Sequence, residues 1–578
     1  MQTKTTPRSD VTHGAALNRR VSDLRRIAAR LKRTKMSPLQ VCEAIIEGRL
    51  VERGVRSFFA GLPNAERHYW IASLYTLLMP QARRRKLAAY FTPPHLARYA
   101  IEMLVASGIR LGEHRILDPA SGGAAFLVPL ATQIAEKGRR RGEPTRKILH
   151  SITSTLHGIE IDPGLGSLSQ ALLNDLFKAE VQSTKANFSA LVETADTLSL
   201  DAPEELYDAV IGNPPYGRIF RPTRKLKKQY DAVISEGYVN LYALFVEQAL
   251  RWVRPGGIVC LIIPISFVGG PYFAALRQRI LQGASVLRID LIDQRSDVFL
   301  DVLHDLSVVV LRRHNGSAEA GSPQSALLLV NEDRPLGTIE LPTKATRDVW
   351  ALPDGEDRAP VFQTGLSTLA DYGYIAKTGY FVWNREQHRY RVGKKPRPTE
   401  IPLFWAHNVR ANKPCLPQAE DGEEIVFAKI PHDCPGIIRS DAIILQRTSN
   451  RRQKRRLIAG TVRHDDIIGG RGFITENHTI VILPDPSKDQ LLSPKKLCRL
   501  LNTSAVDARF RRMSGSVSIS TKALRQLPLP SPHDIKTLLR ATERTDDEAA
   551  VAAYAASVRR SKDSTRDTPT IISKGRRG

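Results

Sequence analysis

The stretch AVIGNPPYGR, residues 209–218, places a side-chain amide, two prolines and an aromatic ring directly after a short apolar run. The apolar run predicts a core strand, which must end before Pro214 and Pro215 because proline donates no ladder hydrogen bond. Asn213 precedes a proline and is therefore biased towards an extended backbone. An ordinary proline-rich turn is the alternative, and the tetrapeptide alone does not exclude it.

The chemistry that suits this rigid exit is the activation of an exocyclic amine. The lone pair of such a nitrogen is delocalised, which makes the nitrogen a poor nucleophile. If the Asn213 side-chain oxygen and the Pro214 carbonyl each accept one of its hydrogens, the nitrogen becomes more tetrahedral and its lone pair is aimed outward. Tyr216 would stack on the ring that carries the amine. Direct transfer to that lone pair needs no covalent nucleophile and no metal ion.

Upstream, the segment RILDPASGGAAFLVPLA (residues 115–131) predicts a strand, a small-residue turn and a helix. Gly122 and Gly123 let the backbone pass close to a ligand, and the helix N-terminus offers free amides. Asp118 ends the strand, where its carboxylate would accept hydrogen bonds from an ammonium group. A turn without a ligand is the alternative. Neither GxGxxG nor GxxxxGK[ST] is present, which disfavours a nicotinamide dehydrogenase and ATP hydrolysis.

Two more acidic residues follow at predicted strand ends. Glu160, in HGIEIDP, would accept hydrogen bonds from ribose hydroxyls, and Asp196, in TADTLSL, from an adenine amine. Alone, Asp196 is more typical of a turn, and Asp162 of a helix cap. Four polar strand ends in one order nevertheless indicate a nucleotide-like ligand.

The elements that must position these residues alternate between short apolar runs and helical stretches from about residue 90 to 313. Such alternation predicts an α/β fold with a doubly wound, mostly parallel sheet, in which ligands bind at the carboxyl ends of the strands. The apolar residues before it have helical spacing and predict an N-terminal helical segment. Beyond about residue 315, short strands mixed with basic clusters predict a C-terminal α+β domain.

The order of these motifs resembles the adenine-N6 DNA methyltransferases of type II restriction-modification systems, particularly the XhoI-like and Eco57I-like modification enzymes. In this group the cofactor half precedes the catalytic half, and target recognition is C-terminal. The resemblance covers residues 88–313 and is carried by AAYFTPPHLARYA, DPASGGAAF, HGIEIDP, NPPY, VNLYALFVEQAL and DVFLDVLHDLSVVVLRR. Ala124 stands where this family customarily has a second spaced glycine.

The resemblance implies a Rossmann-like methyltransferase core, S-adenosylmethionine as the cofactor, and an adenine flipped out of double-stranded DNA as the substrate. The implied catalytic residues are Asn213, Pro214, Pro215, Tyr216 and a second stacking aromatic, Phe299. The implied cofactor-binding residues are Tyr90, Phe91, Thr92, Pro93, Asp118, Ala120, Gly122, Glu160, Ile161, Asp196, Thr197 and Asn213.

The composition agrees with a polyanionic partner. Lys and Arg number 85 against 59 Asp and Glu, a net charge of +26, and such an excess is typical of nucleic-acid binding. No apolar run approaches the ~20 residues that span a bilayer, and the N-terminus does not resemble a secretory signal. The five cysteines form no CxxC pair, so neither a disulfide framework nor a zinc site is indicated, and we expect a cytoplasmic protein.

A basic cluster in the C-terminal half, within IILQRTSNRRQKRR, predicts contacts to DNA phosphates. Its members are Arg447, Arg451, Arg452, Lys454, Arg455 and Arg456. A solvated basic helix is the alternative. The residues that read bases are not identified by the pattern.

We therefore expect a helical segment over residues 1–87, a catalytic domain over 88–315, a target-recognition region over 316–535, and a helical piece with a disordered basic tail over 536–578. The first ~85 residues lack an Asp…Glu-x-Lys cluster, so a cognate restriction endonuclease is expected on a separate chain. An RNA methyltransferase with the same core and a non-catalytic DNA-binding specificity subunit are the alternatives. The non-catalytic subunit is disfavoured because NPPY, Asp118, Glu160 and Asp196 are all intact.

Overall fold

A sheet of nine described strands brings together the strand ends singled out by the sequence. The computed structural model describes residues 8–566 apart from 51, 88–91, 185–187, 189, 204–205, 235–237, 293–304, 317–322, 329–332, 343–345, 354–359, 421, 423, 450–452, 515–517 and 539–544. Three predicted site residues, Tyr90, Phe91 and Phe299, and two cluster residues, Arg451 and Arg452, lie outside the described residues.

Helices and strands alternate in much of the region for which the sequence predicts alternation, about residues 90–313. The helices are α1 (Arg8–Leu31), α2 (Pro38–Ile46), α3 (Arg53–Phe59), α4 (Asn64–Leu78), α5 (Gln81–Leu87), α6 (Pro94–Ala106), α7 (Leu127–Arg140), α8 (Thr145–Thr155), α9 (Pro163–Leu176), α10 (Lys178–Thr184), α11 (Arg224–Gln229), α12 (Leu241–Trp252), α13 (Ala274–Gly283), α14 (Pro494–Leu501), α15 (Ser504–Met513), α16 (Thr521–Arg525), α17 (Pro532–Leu538) and α18 (Asp546–Arg566). The strands are β1 (Ile116–Asp118), β2 (Leu156–Glu160), β3 (Val192–Thr194), β4 (Tyr207–Gly212), β5 (Arg218–Ile219), β6 (Val239–Asn240), β7 (Val253–Pro264), β8 (Ala284–Ile292), β9 (Leu306–Arg313), β10 (Gln324–Leu328), β11 (Asp333–Thr338), β12 (Tyr374–Thr378), β13 (Tyr390–Gly393), β14 (Glu400–Phe404), β15 (Ile425–Lys429), β16 (Ala442–Gln446), β17 (Ala459–Val462), β18 (Ile474–Thr475) and β19 (Thr479–Pro484).

The large sheet is parallel where the site lies. Its order is β11-β10-β8-β9-β7-β4-β1-β2-β3. The five neighbouring strands β7, β4, β1, β2 and β3 run parallel to one another, whereas β9 is antiparallel to both of its neighbours. Ala209, Val210 and Ile211 of β4 are fully buried, as expected of a parallel strand covered on both faces. The predicted doubly wound α/β fold is confirmed. The strand order reverses at β1 and β4, which is where such sheets bind ligands.

Contacts divide the chain into one compact unit over residues 1–267 and 272–348, and a second over 268–271 and 349–578. The first unit includes the N-terminal helices and extends beyond residue 315, because β10 pairs with β8 and β11 pairs with β10. The roles assigned to the sequence domains stay predictions.

The second unit contains two four-stranded sheets, with orders β12-β19-β16-β17 and β13-β15-β14-β18, and helices α14 to α18. Ala549, Ala550, Ala553 and Tyr554 of α18 are buried in its hydrophobic core. The predicted C-terminal helical piece therefore belongs to this core. The last residues, 567–578, for which a disordered tail was predicted, lie outside the described part of the chain. Among the described helices, none is long and apolar enough to cross a bilayer.

The N-terminal helices of the first unit are tied to the strand end that carries Glu160. The Tyr75 hydroxyl of α4 donates to Asp162 Oδ1 at 3.0 Å, and Arg83 Nη2 of α5 lies 2.5 Å from Asp162 Oδ2. Asp162 also caps α9 by accepting from the backbone amides of Gly164 and Leu165. The capping role that the sequence offered for Asp162 is thus observed, and the N-terminal helices help to hold it.

Replacing Tyr75 with Phe removes one hydrogen bond to a buried carboxylate. We expect the free energy of unfolding to fall by about 1–3 kcal/mol, measured by urea denaturation. Arg20→Ala is the control. The ion pair between Arg20 of α1 and Glu66 of α4 is about half exposed, and such surface pairs contribute ~1 kcal/mol or less. Equal losses for the two variants would contradict the anchoring role of Tyr75.

Candidate active site

The turn after β1 is held in shape by a carboxylate from the neighbouring strand. Glu160 Oε2 accepts from the Gly122 amide and Oε1 from the Asp162 amide, both at 2.8 Å. On the other side, Ser169 of α9 donates to the Gly122 carbonyl at 2.6 Å. The glycine turn is therefore held between β2 and α9.

Backbone conformation explains why glycines are customary in this turn. Gly122 has φ +52° and Ala124 has φ +58°, both in the left-handed region. For a residue with a Cβ this conformation costs roughly 1–2 kcal/mol. Ala124, the predicted departure from the family pattern, thus keeps the conformation that glycine adopts without strain, at some expense of stability.

Asp118, at the end of β1, is a buried carboxyl with unused hydrogen-bonding capacity. It is 1% exposed, and Oδ1 accepts from the Ala120 amide at 3.2 Å. Oδ2 has no hydrogen-bond partner among the described residues, and neither has the Ser121 hydroxyl beside it. Burial raises the pKa of Asp118 to about 8, against the lowering effect of the Ala120 amide and with a further increase from Glu160. The geometry suits a cationic ligand group, which would stabilise the ionised carboxylate.

The residues after β2 and β3 lie at the same edge of the sheet as Asp118. Burial raises the pKa of Glu160, while the amides of Asp162 and Gly122 lower it. Ile161 is 55% exposed. Asp196 accepts from the Leu198 amide at 3.1 Å and the Ser199 hydroxyl at 2.8 Å, which is the turn role that the sequence offered for it.

The predicted residue Thr197 is buried and has a structural partner. Its hydroxyl donates to the Pro119 carbonyl at 2.6 Å, so the β3 exit braces the turn after β1. Ala120 likewise acts through its backbone, by donating to Asp118.

Asn213 follows β4, and both ends of its side-chain amide have partners. Nδ2 donates to the Thr92 hydroxyl at 3.0 Å, and Oδ1 accepts from the Tyr216 hydroxyl. The Tyr216 hydroxyl also lies 3.2 Å from the Ile262 carbonyl. In this arrangement Nδ2 faces Thr92 and Oδ1 faces Tyr216.

Tyr216 is 6% exposed and does not line the cavity described below. The sequence predicted that its ring stacks on a base. In the described conformation its hydroxyl instead contacts Asn213, so stacking would require the ring to leave this position and to release Asn213 Oδ1.

One cavity of about 410 Å³ joins these strand ends, a volume within the ~300–1,000 Å³ usual for small-molecule sites. Its lining contains most of the predicted residues that the structure describes: Thr92, Asp118, Ala120, Gly122, Glu160, Ile161, Asp196, Thr197, Asn213 and Pro215. Pro93 and Pro214 are buried but are not part of this lining. Sequence reasoning missed other residues that also line it, among them Ser121, Leu165, Ile219, Arg221, Pro222, Thr223 and Leu226.

The basic cluster of the second unit is not a single exposed surface. The Arg456 side chain is fully buried, Nε donates to the Ser449 hydroxyl at 2.9 Å, and the guanidinium lies over the Phe510 ring. The prediction that Arg456 contacts phosphate is therefore wrong, because this side chain does not reach the surface.

The other described members of the cluster differ in exposure. Lys454 is exposed, Arg455 is half-buried and lies 4.0 Å from Asp547, and Arg447 is half-buried and donates to the Asn477 carbonyl at 2.8 Å. Phosphate contacts by these three residues stay predictions.

Comparison with known proteins finds similarity to methyltransferases. Residues 149–299 match the model of the Eco57I restriction-modification methylase family. The chain is 24% identical over 480 residues to the type II methyltransferase M.BsuBI of Bacillus subtilis, covering 78% of this chain and 88% of that one. It is 21% identical over 446 residues to M.PstI of Providencia stuartii, covering 74% and 84%. These matches confirm the expected resemblance to modification methylases of type II systems, and with it the expected cofactor, S-adenosylmethionine.

Two solved structures share the fold. The ATP-dependent type ISP restriction-modification enzyme LlaBIII bound to DNA superposes with a TM-score of 0.51 at 11% identity, covering 91% of this chain and 45% of that one. A nuclease-deletion mutant of the type ISP enzyme LlaGI, in complex with a DNA substrate mimic, also gives 0.51 at 11% identity, covering 84% and 49%.

The residues present fit S-adenosylmethionine. The unpartnered Asp118 Oδ2 is a suitable acceptor for its ammonium group, and Glu160 retains lone pairs for ribose hydroxyls, since each carboxylate oxygen has two. When bound, the cofactor supplies a methyl group on a positively charged sulfur.

Binding of S-adenosylmethionine at pH 7 should release nearly one proton. With a pKa of about 8, Asp118 is mostly protonated in the free protein and must ionise to face an ammonium group. Calorimetric titration in two buffers of different ionisation enthalpy measures this release. Asp118→Asn should bind more weakly and release none. Equal proton release by both proteins would contradict the assignment.

The same burial predicts how stability depends on pH. Because the pKa of Asp118 is raised in the folded state, the stabilising contribution of its protonated form is complete at acid pH and is lost as the pH rises towards 8. Asp118→Asn should therefore melt at a higher temperature than wild type at pH 9, with the difference shrinking towards pH 5. Differential scanning calorimetry of the cofactor-free proteins checks this, and a pH-independent difference would contradict it.

Proposed function

We propose that the chain transfers a methyl group from S-adenosylmethionine to N6 of an adenine extruded from double-stranded DNA. The observation that carries this proposal is one cavity whose lining includes Asp118, Glu160, Asn213 and Pro215. A methyl donor held by the carboxylates would have its reactive end towards the amide. Direct transfer requires this proximity of donor and acceptor.

The chain would activate the amine through two oxygens. Asn213 Oδ1 accepts one N6–H and the Pro214 carbonyl the other, which lowers the conjugation of the lone pair with the ring. Thr92 keeps the amide oriented by accepting from Nδ2 at 3.0 Å, and the prolines keep the backbone carbonyl fixed. Such preorganised acceptors are effective because they do not have to reorient during the reaction.

Tyr216 would respond to the arrival of the base. In the described conformation its hydroxyl occupies one acceptor site on Asn213 Oδ1. Approach of the adenine amine would displace this hydroxyl, and the released ring could then stack on the base. Phe299 is proposed as the second stacking aromatic.

The adenine must leave the duplex before it reacts, because N6 within the base stack cannot enter a cavity at a sheet edge. Extrusion costs a few kcal/mol, and stacking on aromatic side chains offsets about 1–3 kcal/mol of this cost per base.

Duplex DNA is the proposed partner on three grounds. The net charge of +26 suits a polyanion, the relatives M.BsuBI and M.PstI are type II methyltransferases, and enzymes with a shared fold are seen bound to DNA. We assign target recognition to the second unit. A cognate restriction endonuclease on a separate chain would complete a type II system, with methylation protecting the host DNA.

Sequencing of modified bases in DNA from cells that express the chain tests this function. We expect N6-methyladenine in one sequence context, and none with Asn213→Ala, because loss of a preorganised acceptor typically costs ~10²–10³ in kcat. The variant should still bind S-adenosylmethionine.

Asn64→Ala, at an exposed position of the same unit, is the matched control and should methylate normally. Unchanged methylation by Asn213→Ala would contradict the mechanism. Modification confined to RNA, or to another base, would contradict the proposed substrate.

A further inference from the structure

The segment that follows NPPY is strongly basic and contributes to the lining of the cavity. Residues 217–230, GRIFRPTRKLKKQY, contain six Lys or Arg and no Asp or Glu. The segment begins with β5, which pairs with β6 in a two-stranded ribbon, Arg218 opposite Asn240 and Ile219 opposite Val239. It continues into α11, where the four basic side chains are exposed.

Phe220 and its two neighbours in this segment face different surroundings. Ile219 and Arg221 line the cavity. Phe220 stands between them, does not line the cavity, and is 79% exposed. Phe220 and Arg221 lie at bends directly after β5. Phe220 therefore adjoins two residues of the cavity lining while its own ring faces solvent.

The exposed ring is braced from behind by a stack of side chains. The Arg218 guanidinium lies 5.1 Å from the centroid of the Phe220 ring and 4.8 Å from that of Tyr238. The Tyr238 ring is in turn stacked on Tyr272, with centroids 4.4 Å apart. Cation–π contacts of this kind stabilise the position of the rings, so Phe220 is an exposed but supported aromatic.

A duplex with one base extruded contains an apolar site in which an exposed aromatic ring can be buried. Extrusion leaves an apolar gap between two base pairs, and apolar side chains such as Phe enter base steps in proteins that deform DNA. The six Lys and Arg side chains of the same segment are complementary in charge to the phosphates of DNA.

We propose that Phe220 enters the base stack at the position vacated by the extruded adenine and so stabilises the extruded state. This inference rests on the proposed function. Phe220 would be a positioning residue, since it touches neither the reacting amine nor the cofactor. Its contribution should therefore depend on how strongly the target adenine is held in the duplex.

The experiment compares two DNA substrates that contain the recognition sequence, one with the target adenine paired to thymine and one with it opposite an abasic site. Phe220→Ala should lower kcat/KM on the paired substrate about 10- to 100-fold, the equivalent of one lost stacking interaction. On the abasic substrate, where extrusion costs less, the loss should be no more than about threefold. Phe220→Trp should retain activity on both.

Three further measurements accompany this comparison of substrates. S-adenosylmethionine affinity of Phe220→Ala should equal that of wild type, which checks folding. Val105→Ala, at another exposed apolar side chain of the first unit, should have normal activity on both substrates. The fluorescence of 2-aminopurine at the target position should rise on binding wild type and rise less with Phe220→Ala.

Equal losses on the two substrates, or no loss on the paired one, would overturn the role of Phe220 and leave the proposed function standing. If the wild-type protein methylated adenine in neither substrate, the proposed function itself would be overturned, and this inference with it.

Discussion

Parallel strands of one sheet end at the same edge, and the rest of the site depends on this constraint. It brings Asp118, Glu160 and Asn213, which are far apart in sequence, around one cavity. The turn after β1 lies against β2 because Glu160 accepts from the Gly122 amide, and against the β3 exit because Thr197 donates to the Pro119 carbonyl. Hydrogen bonds between neighbouring strand ends therefore help to shape the cavity.

Two features of this edge lower stability and are explained by ligand binding. Asp118 keeps a carboxylate oxygen without a partner among the described residues, and burial of such a group disfavours its ionised form. Ala124 occupies a backbone conformation that disfavours a Cβ. An ordinary core would contain neither. Both are understandable if the turn must stay close to a cationic ligand, since the ligand then supplies the missing interaction.

The sequence predicts the part of the architecture that follows from local pattern. Alternating apolar runs and helical stretches indicate the parallel sheet, and the polar residues that end β1, β2 and β4 are identified because strand ends are marked by glycine, proline and acidic residues. Contacts between distant segments are not contained in such patterns. Arg456 is buried against Phe510 although it ends a run of basic residues, and the Tyr216 hydroxyl contacts Asn213 although tyrosine at that position suggests stacking. Phe220 was overlooked because a single aromatic in a basic loop has no periodicity; its meaning depends on the cavity beside it.

The central claim is that one cavity holds the methyl donor and the amine that accepts the methyl group. A crystal structure of the chain with S-adenosylhomocysteine and duplex DNA tests it most directly. We predict the amino group of the ligand on Asp118 Oδ2, its sulfur facing Asn213, and an extruded adenine whose N6 lies within hydrogen-bonding distance of Asn213 Oδ1 and the Pro214 carbonyl. A ligand bound elsewhere, or an adenine that remains stacked in the duplex with Asn213 Oδ1 still contacting Tyr216, would contradict the account.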